Sequence, residues 1–419
     1  MNTSSAEVRP GVGPEAGTQA GPLVDAQATQ SCSACAALVL AGGGARAGYQ
    51  VGVLAGLAER IPGFHTPILT GVSAGAINST FLANSRKPMV QALQDLEQCW
   101  ASLTFEEVFD VGGLSLGWRA AWNLTRLVVP LPRRLVVPSS MVDSSPLRRF
   151  LHRAYQSPSG HLPNITENVR EGRLRAVALT AAHYASGRGV TFFTSRDVEP
   201  WSRPLRTSIQ TDLRIDHVMA SSALPMFFPA VPVDGKWYGD GGVGLVAPLS
   251  PAVHLGADRI LVVSTRYRPP SDQQRSDLAE GPPSVAVIAG GLYNTLFLDQ
   301  LDFDATQLGR ISKFLGRLPP EERSGLRPIA LHVIRPSEDM ATAAGRYEDK
   351  LPPVLRHLAR RLGTSHLGRQ DLLSTVLFQQ DYVRYLLELG RLDGSRNAEA
   401  VERLLNVAAP IGSDTSPSR

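Results

Sequence analysis

The 419-residue sequence is poor in several things, and each shortage closes off a class of protein. It has three cysteines, Cys32, Cys35 and Cys99, an odd number with only the first two close together, so a disulfide-stapled scaffold is excluded. Cys32-Ser-Ala-Cys35 has the outline of a C-x-x-C half-site, but no second half and no redox-fold context accompany it. No uninterrupted apolar run reaches the roughly 18 residues of a membrane-spanning helix. Aromatic residues make up 6% of the chain, and no Lys/Arg block with interleaved aromatics appears, which excludes a nucleic-acid partner. Charge of one sign is also scarce: 42 Lys and Arg against 38 Asp and Glu leave a net +4, too small an excess over this length to name a partner. Histidines, cysteines and carboxylates never cluster at metal-ligand spacing, so neither a metal nor another cofactor is expected. The amino terminus lacks the cationic start and apolar core of a secretory signal. These shortages predict a cytoplasmic chain, soluble or peripheral at a membrane, whose oligomeric state the sequence does not disclose.

What is present is glycine (38) and proline (31) at informative places in a chain that is 43% hydrophobic. Residues 1–35, rich in Gly, Ala, Pro and Ser, read as a disordered leader. Ala36 to Leu40 is a short apolar run that predicts a buried strand, running straight into Gly42, Gly43 and Gly44. A helix over Tyr49 to Arg60, a strand over Pro67 to Thr70 and a helix over Ala74 to Asn84 follow. Later strands are predicted at Leu174 to Thr180, Gly189 to Thr194, Lys236 to Tyr238, Ile260 to Ser264 and Ile329 to Ile334. This alternation predicts a three-layer α/β/α fold around a mostly parallel sheet over residues 36–335, interrupted by an irregular insertion at about 100–145. Residues 336–407 read as an amphipathic helical annex and 408–419 as a flexible tail. No internal repeat of solenoid period is present.

Three motifs carry chemistry. Gly71-Val72-Ser73-Ala74-Gly75 is a G-x-S-x-G pentapeptide between a predicted strand and a predicted helix, the setting in which a strained turn pushes a serine hydroxyl out of the sheet. Gly42-Gly43-Gly44-Ala45-Arg46 follows a strand and can turn several backbone N–H groups toward one point, as an oxyanion hole requires. A dinucleotide loop is the rival reading of these glycines, but Ala47 stands where G-x-G-x-x-G needs its third glycine. Tyr238-Gly239-Asp240-Gly241-Gly242 places one acid among glycines after a strand, a pattern that alone is an ordinary turn.

Together, and in this order, the motifs resemble those of the patatin-like phospholipases: a glycine-rich oxyanion loop, a G-x-S-x-G elbow and a later D-G-G. Ala220-Ser221-Ser222-Ala223-Leu224-Pro225, with Phe228-Pro229, is similar to the block before that family's catalytic aspartate, and Asp143 to Phe150 and Tyr293 to Arg310 also look like bacterial members. The resemblance covers about residues 36 to 335. It implies Ser73 as nucleophile and Asp240 as general base of a Ser-Asp dyad, Gly42, Gly43 and Gly44 as the oxyanion hole with Arg46 holding that loop, and Gly71 and Gly75 as the elbow glycines. The implied activity is hydrolysis of acyl esters in phospholipids or related lipids through an acyl-enzyme, with acyl transfer as a close variant. One departure stands out: the family has glycine directly after the basic residue, whereas here Ala47 precedes Gly48. If that position needs a positive φ the loop is strained, which is the one feature favouring an inactive lipid-binding scaffold.

Free aspartate, with a pKa of about 3.9, is a poor base for a serine, so burial has to raise its basicity. An ordinary α/β-hydrolase would use a later histidine instead; His254, His332, His357 and His366 qualify by order, but none lies in a glycine-flanked loop. Within the insertion, residues 115–138 interleave Trp118, Trp122 and Leu127 with Arg119, Arg126, Arg133 and Arg134. That stretch reads either as a membrane-facing cap or as a loop packed on the sheet.

Overall fold

The computed structural model describes residues 35–109, 143–225, 227–243, 247–268, 299–350 and 370–406. Residues 1–34 of the expected leader, the stretch 115–138 and the tail lie outside the described residues; Cys35, placed at the end of that leader, is instead buried in the core beside β1.

The sheet is built outward from β1 (Ala36–Leu40), whose five residues are all buried. Only a strand covered on both faces tolerates such a continuous apolar run. On one side β1 pairs in parallel with β2 (Ile68–Val72) and on the other with β9 (Arg259–Val263), which carries β10 (Ala330–Ile334) at the sheet edge. Beyond β2 comes β3 (Ala176–His183), also parallel. There the pattern changes: β4 (Arg188–Ser195) turns back antiparallel, and β6 (Arg206–Gln210) and β5 (Ser202–Arg203) finish that edge. A hairpin of β7 (Val231–Val233) and β8 (Lys236–Asp240) joins β3 as well.

That hairpin decides where the site lies. One edge of β3 is bordered first by β2, up to the pair Val72↔Thr180, and then by β8, starting from the pair Asp240↔Ala181. The residue that follows β2 and the residue that ends β8 are therefore set side by side along one strand.

Alternation within β1 divides the core into two layers. Leu38 and Leu40 face a cluster shared with α1 (Ala47–Arg60), α2 (Ala74–Asn84) and α3 (Met89–Ser102). Ala37 and Val39 face the other layer, which includes α8 (Ser250–His254) and α9 (Asp299–Leu315). Four shorter helices add to the first layer: α4 (Phe105–Val108), α5 (Ser145–Ala154), α6 (Pro163–Arg170) and α7 (Ile215–Ser221). The result is an α/β fold with helices on both faces of a mostly parallel sheet.

After β10 come α10 (Met340–Ala344), α11 (Gln370–Val376) and α12 (Gln380–Asn406). Helix α12 lies along α1 with its backbone in direct contact. A Cβ on Gly52 would stand 2.1 Å from the Leu387 carbonyl oxygen, and one on Gly390 would stand 2.1 Å from that of Tyr49. Gly56 and Gly394 meet Arg391 and Val53 in the same way, so two glycine rows of period four let the helices touch where side chains would hold them apart. At the flank, Arg391 pairs with Glu59 and, at 2.5 Å, with Glu97. Tyr382, Val383 and Leu386 of α12 belong to the same apolar cluster as α1.

Candidate active site

Ser73 sits between β2 and α2 with φ 56° and ψ −128°, a backbone region that costs a non-glycine residue on the order of 1–3 kcal/mol. The turn can be that sharp because its flanks carry no Cβ: one on Gly71 would lie 2.3 Å from the Gly75 carbonyl oxygen, and one on Gly75 would lie 2.2 Å from that of Leu40. Strand and helix are thereby pressed backbone to backbone beneath the serine.

Asp240 is fully buried. Its Oδ1 accepts the Gly242 N–H at 2.8 Å, while Oδ2 is buried with no hydrogen-bond partner. Burial pushes the carboxyl up from 3.8 to about 6, opposed by the neighbouring Ser73 hydroxyl and the Gly242 amide. Such a carboxyl is a stronger base than a solvated aspartate, and the Ser73 hydroxyl is close enough to act on it.

The segment 220–223 braces both residues, a role that sequence reasoning did not assign. Ser73 N–H donates to Ser221 Oγ at 3.0 Å, Ser221 Oγ donates to the Thr180 carbonyl at 2.7 Å, and Ser222 Oγ donates to the Ser73 carbonyl at 3.0 Å. The same segment accepts the Asp240 N–H at Ala223 (2.8 Å) and the Gly241 N–H at Ser221 (3.2 Å). Two adjacent serines among alanines were the available signal: small hydroxyls that can reach backbone groups at close quarters.

The glycine loop leans on the serine. A Cβ on Gly42 would be 3.2 Å from Ser73 Cβ and 3.9 Å from its Oγ, and Thr265 Oγ1 fixes the Gly42 carbonyl at 2.6 Å. Among the described residues the N–H groups of Gly42, Gly43 and Gly44 meet no backbone acceptor. Gly44 takes the positive φ of the loop, 55°. Ala47 does not: its φ of −69° and ψ of −12° are ordinary helical values, so the alanine brings no strain.

Arg46 is buried, and α11 takes up its guanidinium. Nε donates to Ser374 Oγ at 2.8 Å, and Nη2 donates to Asp371 Oδ1 at 2.7 Å and to the Asp371 carbonyl at 2.8 Å. Thr375 closes the contact, its carbonyl oxygen 2.1 Å from where a Gly44 Cβ would stand. The oxyanion-loop candidate is thus clasped by a segment more than 320 residues away.

Two cavities meet at Ser73. The larger, with about 820 Å³ of empty space partly open to solvent, is walled by apolar side chains including Trp100, Phe109, Phe228 and Phe378. Phe109 stacks on Phe228 with ring centroids 5.3 Å apart, and α11 contributes Thr375 and Val376 to the wall. The smaller, with about 640 Å³ of empty space also partly open to solvent, is lined by Asp240, Gly42 and Gly43 together with Gln300 and Leu301. Among the described residues no histidine lines either cavity. His254 stacks on Trp201, His332 meets Asn397, and His217 is enclosed beside Phe192, where burial lowers its pKa to about 4. His357 and His366 lie outside the described residues. Among the described residues no three His, Cys, Asp or Glu side chains gather to hold a metal ion, and no helix is long and apolar enough to cross a membrane.

A family model described as patatin-like phospholipase matches residues 38–253, just over half of the chain. No curated protein sequence matches. Among solved structures the chain is similar to VipD from Legionella pneumophila, at 12% identity and a TM-score of 0.34, covering 84% of this chain and 67% of that one. It is also similar to human GIVD cytosolic phospholipase A2 in complex with methyl gamma-linolenyl fluorophosphonate, at 12% identity and a TM-score of 0.42, covering 89% of this chain and 58% of the human one.

Proposed function

Because the chain belongs to the patatin-like phospholipase family, whose members are typically lipid acyl hydrolases, we propose that it hydrolyses acyl esters of phospholipid with Ser73 as nucleophile and Asp240 as base. The observation that carries this reading is the buried Asp240 carboxyl with an unfilled oxygen beside a serine held in a strained elbow. An acyl chain lies in the aromatic-walled cavity, which brings its ester carbonyl to Ser73 and the carbonyl oxygen to the amides of Gly42, Gly43 and Gly44. Ser73 Oγ attacks the carbonyl carbon as its proton passes to Asp240. Collapse of the tetrahedral intermediate breaks the bond to the alcohol, which leaves with the proton from Asp240. Water then enters from the smaller cavity and attacks the acyl carbon as its proton passes to Asp240; when this second tetrahedral intermediate collapses, Asp240 returns the proton to the departing Ser73 Oγ and the fatty acid is released. The strain-free geometry of Ala47 removes the one feature that favoured an inactive scaffold.

The test is release of free fatty acid from a diacyl phospholipid, measured for the wild type and for Ser73→Ala. Release by the wild type that falls to background in the variant is expected; equal release by both would sink the assignment.

A further inference from the structure

Helix α9 has two apolar faces, and the fold uses one. Leu301 and Ala305 pack in the layer against the sheet, and Leu315 is buried as well. On the other side Phe303, Ile311 and Phe314 are 61%, 50% and 66% exposed, and Leu318, in the turn that follows, is 38% exposed. Steps of eight and three residues place Phe303, Ile311 and Phe314 on one stripe at 3.6 residues per turn, and the exposed Leu318 follows the helix end. Isolated surface hydrophobics need no explanation, but a continuous stripe with two phenylalanines does.

Charge sorts along the same helix. Near its start, Asp302 is paired with Arg335 and Asp304 accepts the Leu249 N–H. Further on, Arg310, Lys313 and Arg317 are exposed along one margin of the stripe. The exposed acids Glu321 and Glu322 come only in the 3-10 turn after the helix. The start of α9 also reaches the site, since Gln300 and Leu301 line the cavity that holds Ser73 and Asp240.

We infer that the outer face of α9 is the surface by which this chain lies on an anionic lipid bilayer. Phe303, Ile311 and Phe314 enter the boundary between headgroups and acyl chains, and Arg310, Lys313 and Arg317 meet the phosphates. Large apolar residues beside a cationic margin are what an interfacial helix needs. A protein partner of ordinary composition would have to supply matching carboxylates. This surface is separate from residues 115–138. It rests on the lipid-hydrolase reading only for the choice of probe.

The test is co-sedimentation of the full Ser73→Ala chain, which binds without turnover, with phosphatidylcholine vesicles that contain or lack phosphatidylglycerol. Binding to the anionic vesicles is expected, weakening as salt is raised. Each of Arg310→Ser, Lys313→Ser and Arg317→Ser should weaken it roughly fivefold, and the three together on the order of 100-fold. Ile311→Ser with Phe314→Ser should weaken it about tenfold or more. With Ser73 restored, each set should turn over a water-soluble ester like the wild type, which separates loss of docking from loss of fold and from failure of the hydrolase reading. The inference is overturned if the parent does not bind, or if either set binds as the parent does. It is also overturned if the parent is a dimer that Ile311→Ser with Phe314→Ser converts to monomer, since a second copy is then the occupant.

Discussion

Asp240→Asn is expected to lower kcat for ester hydrolysis by about 10³- to 10⁴-fold and, above neutral pH, to make the folded chain more stable than the wild type. Both effects come from one property, the burial that raises this carboxyl to about 6. A base has to be ionised, so wild-type kcat/KM should rise about tenfold per pH unit up to about pH 6 and then level off. Stability runs the other way. The folded pKa lies above the unfolded value of 3.8, so the fold favours the neutral acid. Its contribution to stability is full below 3.8 and is lost as pH rises through about 6, where the buried charge costs on the order of 3 kcal/mol. Asparagine is neutral throughout, and its oxygen can still accept the Gly242 N–H. The stability difference between variant and wild type should therefore grow from about pH 4 to about pH 7 and then hold constant, as denaturant titrations at several pH values would read. A difference independent of pH would mean that the carboxyl is solvated, and an active variant would mean that another group is the base.

Deleting residues 370–419 is expected to leave a chain that does not fold. Tyr382, Val383, Leu386, Leu387, Leu389 and Val401 of α12 are all buried. At about 1.5–3 kcal/mol for each large side chain, their burial amounts to roughly 10 kcal/mol or more, comparable with the whole stability of a typical domain. A finer cut reports on the site itself. Arg46→Lys keeps the charge but loses the planar fork that reaches Ser374 and Asp371 together. If the clasp sets the oxyanion amides, this variant should stay folded, keep KM within a few-fold, and lose kcat by up to about 10²–10³, the cost of one misplaced donor. Ser374→Ala should move kcat in the same direction and less. A deletion that expresses as a cooperatively folding, active enzyme, or an Arg46→Lys with unchanged kcat, would separate the C-terminal helices from the active site.

The parts legible in the sequence were those fixed by local demands. Ala36 to Leu40 could only be a buried strand, and the elbow helix occupies the expected Ala74 to Asn84, because glycines on both sides of Ser73 leave one way to make that turn. The mostly parallel sheet followed from the alternation of strands and helices. The far side of the sheet was not legible in full: β6 and the β7–β8 hairpin are short, and β8 is held by β3, a partner distant in sequence. It is this hairpin that brings Asp240 to Thr180 and Ala181, so spacing along the chain could list Ser73, Gly42 and Asp240 without showing how they meet. Arg46 was expected to hold its loop, yet its partners, Asp371 and Ser374, lie at the far end of the chain where no local pattern announces them. A signal did exist: Gly48, Gly52 and Gly56 repeat every fourth residue in α1, as do Gly390 and Gly394 in α12, a spacing that lets two helices touch. The amphipathic pattern of 336–407 promised only a covered face and did not reveal which element it covers.

The central claim, that Ser73 is the nucleophile and Asp240 its base, is tested most directly by treating the wild type, Ser73→Ala and Asp240→Asn with a long-chain alkyl fluorophosphonate and locating the adduct by peptide mass. A single adduct on the peptide carrying Ser73 in the wild type, none in Ser73→Ala and much slower labelling in Asp240→Asn are predicted. A folded wild type that takes no adduct, an adduct on another residue, or labelling in Asp240→Asn as fast as in the wild type would contradict the claim.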